Sequence, residues 1–232
     1  MSSAETGNQF EARPDPQPNS QSNLDISVSS LPIRRILPNG AIAELDIMRP
    51  EEAEAVRALL NHFVAAFSTE GLTYPHAQPL SASEFAAYWL SRDAFVVRAV
   101  GDAPPPASGD KSWEIEQLKK ASPAMPTPGE ILGAFYLKPN FPGWCSHICN
   151  AGFIVQPAMR GQGIGRWMAD TMLAIAPTKG YTAVMFNLVF ATNEPSLNLW
   201  RSLGFNTLGR VPSAARLPDG SSVDAIMLHR AL

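Results

Sequence analysis

The sequence predicts a mixed α/β domain, one sheet with helices on both of its faces. Three observations lead there. From about residue 30 onward, strand-like and helical runs interleave along the whole chain. Gly161, Gly163 and Gly165 cluster where an apolar strand-like run gives way to a helical one. With 45% hydrophobic residues in a chain of 232, there is material for one sizeable core.

The elements follow in order. Residues 1–30 are rich in Ser, Asn, Pro and Gln without periodic apolar positions, so a disordered tail is expected. The folded domain is expected over 31–232. SLPIRRIL and AIAELDIM read as strands joined at the turn Pro38-Asn39-Gly40. EEAEAVRALLNHFVAAF has apolar residues at helical spacing and acids in its first turn. LSASEFAAYWL is a second helix, with Ser81 or Ser83 as its cap. AFVVRAV is a strand, and a proline-rich excursion at 101–128 interrupts the pattern.

ILGAFYLKP and NAGFIVQP are strands, and a helix runs from near Gly163 to Pro177. Ile164, Trp167, Met168, Met172 and Ile175 share one side of it. YTAVMFNLVF is a strongly apolar, central strand. NEPSLNLWRSLG is a short helix that Asn193 caps, Pro195 opens and Gly204 closes. FNTLGRV and VDAIMLHR are the last strands. No internal repeat is present.

Charge and cysteine content narrow the function. Eighteen Lys and Arg stand against 21 Asp and Glu, a net charge of −3 with no basic run. That offers no footprint for nucleic acid or an anionic membrane surface. No apolar stretch is long enough to span a bilayer. Two cysteines, Cys145 and Cys149, make no disulfide framework, which suits a reducing compartment. MSSAETGNQFEARPDPQPNS lacks the basic-then-apolar order of a signal peptide and carries early acids. A cytoplasmic protein is expected, with mitochondria as the alternative. Cys145-x-His147-x-Cys149 suggests zinc, but a fourth ligand and C-x-x-C spacing are missing, so no metal is expected.

The glycine cluster is the strongest local signal. The first amides of a helix lack partners inside it and favour an anion such as phosphate. Glycines let the backbone approach without a Cβ, and Arg160 or Arg166 can add a charge-assisted bond. A Walker loop would end in Gly-Lys-Ser/Thr, whereas Gly165-Arg166-Trp167 stands here. A dinucleotide fingerprint would come early and carry an acid about 20 residues on. A tight strand-to-helix turn with no ligand is the plain alternative.

Arg160-Gly161-Gln162-Gly163-Ile164-Gly165, after Val155-Gln156-Pro157, resembles the R/Q-x-x-G-x-G/A signature of the GNAT N-acetyltransferases. Asn193 followed by Trp200-Arg201-Ser202-Leu203-Gly204-Phe205 is similar to that family's N…(Y)-x-x-x-G-F segment. Further runs extend the likeness: Thr73-Tyr74-Pro75, Lys138-Pro139-Asn140, Cys145-Ser146-His147, Cys149-Asn150-Ala151-Gly152-Phe153, Phe186-Asn187-Leu188-Val189-Phe190 and Val223-Asp224-Ala225-Ile226. These resemble the fungal (yeast) L-azetidine-2-carboxylate N-acetyltransferase branch over residues 70 to 228.

The resemblance implies a mostly antiparallel sheet splayed between two central strands, acetyl-CoA as cosubstrate, and a homodimer. The loop residues Arg160 to Arg166 would hold the pyrophosphate, with Asn193 and Ser196 beside the pantetheine arm. An amide of Ile154 or Val155 would receive the oxyanion. Asn150 and Asn187 match the branch's catalytic and substrate-orienting residues. An asparagine does not titrate near neutrality, yet it can hold an amine and a carboxylate. Buried in an apolar run, Asn187 must be bonded or cost roughly a few kcal/mol. Tyr74, Phe153 and Leu188 would complete the substrate pocket. One departure stands out: many family members place a Tyr acid where Trp200 lies, so Ser196 or water would serve the leaving thiolate.

The implied activity is N-acetylation of a small cyclic imino acid, for detoxification or oxidative-stress tolerance. The alternatives are a protein lysine, an N-terminus or a polyamine as acceptor, or a non-catalytic acetyl-CoA-binding protein.

Overall fold

The computed structural model describes residues 30–65, 73–102 and 125–232. Residues 1–29 of the predicted tail, residues 66–67 of the first helical run and residues 103–124 of the proline-rich excursion lie outside the described residues.

The chain opens with a hairpin of β1 (Ile33–Ile36) and β2 (Ala41–Ile47). Gly40 takes φ 91° at the turn, and its N–H donates to the Leu37 carbonyl at 2.8 Å. Helices α1 (Ala53–Ala65) and α2 (Ala82–Trp89) follow. Ser81, rather than Ser83, caps α2. Its Oγ accepts from Glu84 N–H, and the Glu84 carboxylate accepts from Ser81 N–H at 2.8 Å.

Then come β3 (Asp93–Asp102), β4 (Ile131–Pro139), β5 (Ile148–Val155) and α3 (Ile164–Thr178). The chain ends with β6 (Ala183–Phe190), α4 (Glu194–Ser202), β7 (Asn206–Arg216) and β8 (Ser222–Ala231). Several boundaries differ from the sequence expectation, and β7 runs past Val211 to Arg216. Strand β3 extends into the first two residues assigned to the excursion, because Gly101 and Asp102 pair with β2. Strand β5 begins at Ile148 and stops at Val155, where Pro157–Met159 turns into a 3-10 helix. Helix α3 passes Pro177 by one residue; Pro177 brings no N–H to the ladder, and the end is closed by Thr178 Oγ1 donating to Ile175 O and Lys179 N–H to Ala176 O.

The eight strands form one sheet in the order β1-β2-β3-β4-β5-β6-β8-β7. Every neighbouring pair is antiparallel except β5 and β6. That parallel pair is joined only at Ile148↔Ala183 and Cys149↔Val184.

Helices cover both faces. On one, Trp167, Met168 and Met172 of α3 and Trp200 of α4 pack with Phe135 and Phe186. On the other, Leu60 and Phe63 of α1 and Phe85 and Trp89 of α2 pack with Val96 and Tyr136. Each such side chain, fully buried, contributes about 1.5–3 kcal/mol. Among the described residues no helix is long and apolar enough to cross a membrane.

One charged cluster is built into this frame. Arg98 of β3 is 4% exposed and meets Glu44 at 2.8 Å, Asp46 at 3.2 Å and Glu52 at 2.6 Å. Together they pin α1's entry to the sheet. Arg98→Met strands buried carboxylates and should cost about 3–5 kcal/mol. Breaking the more exposed Lys179–Asp93 pair should cost under about 1 kcal/mol. Denaturant titration of the two variants checks the contrast.

Candidate active site

The site begins where β5 and β6 stop pairing. Gln156 N–H donates to Leu132 O at 2.9 Å and Asn140 N–H to Ile148 O at 2.8 Å, so even-numbered residues of β5 turn their backbone groups toward β4. The backbone groups of Ala151, Phe153 and Val155 therefore face β6, beyond the last joined pair at Cys149. Tyr74 reaches into this gap, and its hydroxyl donates to Phe153 O at 3.1 Å. The ladder commits Ile154 N–H to β4 and leaves Val155 N–H facing the gap. Of the two amides, Val155 has the geometry for an oxyanion donor; the Ile154 side chain is buried among α1 and α2.

The glycine loop closes one end of the gap. Gly161 and Gly163 take φ +76° and +77°, the left-handed region that a Cβ disfavours. Gly163 is the N-cap of α3 and no side chain caps the helix, so its first amides are available to an anion. Arg160, Gly161, Gly163, Ile164 and Gly165 line one cavity of about 1080 Å³. The Arg160 guanidinium lies 5.3 Å over the Phe63 ring.

Two residues expected at the cofactor direct their side chains elsewhere. Gln162 Oε1 accepts from Asn39 N–H at 3.0 Å, which ties the loop to the β1–β2 turn. Arg166 pairs with Asp170 at 3.0 Å, one helical turn on. Neither lines the cavity.

At the other end three asparagines meet. Asn140 Nδ2 donates to Asn187 Oδ1 at 2.9 Å, and Asn187 Nδ2 donates back to Asn140 Oδ1 at 2.6 Å. Asn150 Nδ2 donates to Asn140 Oδ1 at 3.0 Å. Asn187 and Leu188 sit in the irregularity of the β6–β8 ladder between Phe186 and Val189. Asn187 thus meets its bonding requirement through the Asn140 amide, one residue past the end of β4. The Lys138-Pro139-Asn140 run assigns Asn140 no role by itself; the bond of its N–H to Ile148 O sets it beside Asn150. Tyr88, Tyr136 and Lys138 also line the cavity without having been expected there. Gly152 makes room for the Tyr136 ring, which a Cβ there would strike.

The floor is aromatic, with Phe153 stacked on Phe135 at 5.4 Å and Trp200 against Phe186 at 4.4 Å. Trp200 Nε1 donates to Ser196 Oγ at 3.0 Å. Asn193 Oδ1 caps α4 by accepting from Ser196 N–H at 3.2 Å. With a lone pair of Ser196 occupied by the indole, its O–H is left to donate into the cavity.

The cysteine-histidine spacing has another explanation. Cys145 is exposed in the 3-10 turn Gly143–Cys145, whereas Cys149 is buried, with Sγ donating to Ala183 O at 3.3 Å. Among the described residues no three His, Cys, Asp or Glu converge as metal ligands. Burial pushes the Cys149 thiol up to about 12, so it holds no thiolate near neutrality.

Comparison with known proteins decides the lineage. The model of the acetyltransferase (GNAT) family matches residues 86–205, over half of the chain, including the glycine loop and both parting strands. The chain belongs to the GNAT acetyltransferase family. N-acetyltransferase aca1 of Schizosaccharomyces pombe is 54% identical over 87 residues, 38% of this chain and 42% of aca1. The matched region thus spans less than half of that relative. A GCN5-related N-acetyltransferase from Kribbella flavida superposes with a TM-score of 0.64 at 27% identity, covering 82% of this chain and 98% of that one. A phosphinothricin acetyltransferase from Sinorhizobium meliloti, in complex with AcCoA, shares the fold. Its TM-score is 0.62 at 16% identity, covering 82% and 88% of the two chains.

The residues present fit acetyl-CoA: uncapped helix amides and left-handed glycines at one end, and unpaired β5 backbone along the gap. Two outcomes follow. Gly163→Val should weaken acetyl-CoA binding by about tenfold or more, some 1.4 kcal/mol, in calorimetry. Arg166→Ala should stay within about twofold, its charge being committed to Asp170. Separately, iodoacetamide near pH 8 should label Cys145 and spare Cys149, and Cys149→Ala should retain turnover, as mass spectrometry and a thiol-release assay would show.

Proposed function

We propose that the protein transfers the acetyl group of acetyl-CoA to the secondary amine of a small cyclic imino acid. Candidates are azetidine-2-carboxylate, a hydroxyproline or a cyclic intermediate of proline metabolism. The observation that carries this reading is the Asn140–Asn150–Asn187 cluster at the gap between β5 and β6, in the same cavity as the glycine loop. The likeness to the azetidine-2-carboxylate branch supports the choice of acceptor.

The chemistry follows from what each group has left to offer. Asn150 spends one amide hydrogen on Asn140, so its Oδ1 can accept from the amine N–H and aim the nitrogen lone pair. Holding amine and thioester in one cavity makes the attack effectively unimolecular. A C–N bond forms as charge collects on the carbonyl oxygen, where Val155 N–H donates. The C–S bond then breaks, and Ser196 O–H donates to the departing sulfur. The proton shed by the amine leaves through water and returns to the thiolate. Tyr74, Tyr88 and Tyr136 give the acceptor end apolar walls suited to a saturated ring. On this reading acetylation removes the reactive amine of a proline analogue, which serves detoxification or oxidative-stress tolerance.

Thiol release from acetyl-CoA tests the reading, with L-azetidine-2-carboxylate and cis-4-hydroxy-L-proline offered beside lysine, spermidine and a peptide N-terminus. Turnover of the imino acids is expected, falling about 10²-fold or more in Asn150→Ala. Turnover confined to lysine, spermidine or peptide would overturn the acceptor assignment while leaving the family intact.

A further inference from the structure

Lys138 has no assigned part in this chemistry, yet it occupies the acceptor end of the cavity. It stands directly opposite Asn150 in the β4–β5 ladder, so the two side chains are neighbours on one face of the sheet. Its Nζ lies 4.5 Å from the Tyr88 ring centre and 4.4 Å from that of Tyr136, and donates to Tyr88 O at 2.8 Å. The ammonium is thus partly stripped of water and held between two aromatic faces. Among the described residues no carboxylate pairs with it, and burial lowers its pKa. One of its three hydrogens is committed, to the Tyr88 carbonyl.

A desolvated cation in a ligand cavity, with donors to spare and no internal counter-ion, is a site for an incoming anion. We infer that Lys138 is the counter-ion for the acceptor's carboxylate, and so selects α-imino acids over simple cyclic amines. This rests on the imino-acid reading above and adds to it the residue that reads the acid group. Lys138 and Asn150 oppose each other across the ladder and line the same cavity, so an acceptor whose amine is held at Asn150 Oδ1 can present its carboxylate to Nζ. The rings of Tyr88 and Tyr136 fix the ammonium in place and contribute cation–π attraction.

The test compares L-azetidine-2-carboxylate with its carboxamide, for wild type and Lys138→Met, at saturating acetyl-CoA. The expected result is a preference of wild type for the acid. Lys138→Met should raise KM for the acid by about tenfold or more, leave the carboxamide within about twofold, and change kcat little. Equal losses on both acceptors would make Lys138 a structural residue and overturn the inference; so would an unchanged KM for the acid. Wild type acting on neither acceptor would sink the imino-acid reading itself, an outcome distinct from either. Acetyl-CoA binding monitors the fold. Should Lys138→Met lose that binding, Lys138→Gln is judged by the same acid-to-carboxamide comparison.

Discussion

The structure turns on the parting of two parallel strands. Joined only at Ile148↔Ala183 and Cys149↔Val184, β5 and β6 then diverge. Unpaired backbone inside a protein normally costs free energy. Here it is the working surface: Val155 N–H faces a cavity instead of a neighbouring strand, and Phe153 O is met by the Tyr74 hydroxyl. The core beneath α3 and α4 takes residues from both halves of the sheet, Phe135 and Ala151 on one side and Val184, Phe186 and Leu228 on the other, so the gap stays open without exposing that core. The acceptor end and the glycine loop are arranged at opposite ends of that one opening.

Polarity within the gap is supplied by neutral groups. Asn140, just past β4, bonds both Asn150 of β5 and Asn187 of β6, and Ser196 is held by the Trp200 indole. Such groups orient a reactant over a broad pH range because they do not titrate. The charged side chains nearby are held by other contacts, Arg166 by Asp170 and Arg160 over Phe63. Lys138, between its two rings, is the cation that the acceptor end retains. The division matches acetyl transfer to a neutral amine, in which charge develops on the thioester and its leaving group.

Much of this was legible in the sequence where the determinants are local. The Pro38-Asn39-Gly40 turn, the Asn193 cap and the amphipathic side of α3 all depend on residues within a turn or two. The glycine loop was legible for the same reason. What escaped depends on register and on long-range contacts. Nothing local says that Lys138 stands opposite Asn150, or that Asn140 bridges to Asn187. Gln162 bonds to Asn39 across 123 positions, beyond any spacing argument. Arg166 is different: Asp170 stands four residues on, one helical turn away, so its ion pair is local and readable from spacing.

The bond from Asn39 to Gln162 bears on how self-sufficient the loop is. Its anchors, the β1–β2 turn and the Phe63 ring of α1, both precede the segment that matches the family model. Arg160 to Gly165 therefore do not form a portable cassette. Grafted onto another strand-to-helix junction, they would bring the permissive dihedrals and leave behind the contacts that fix them. The region ahead of the matched segment is part of the loop's scaffold, and recombination or domain trimming that treats it as a dispensable leader would separate a binding loop from its support.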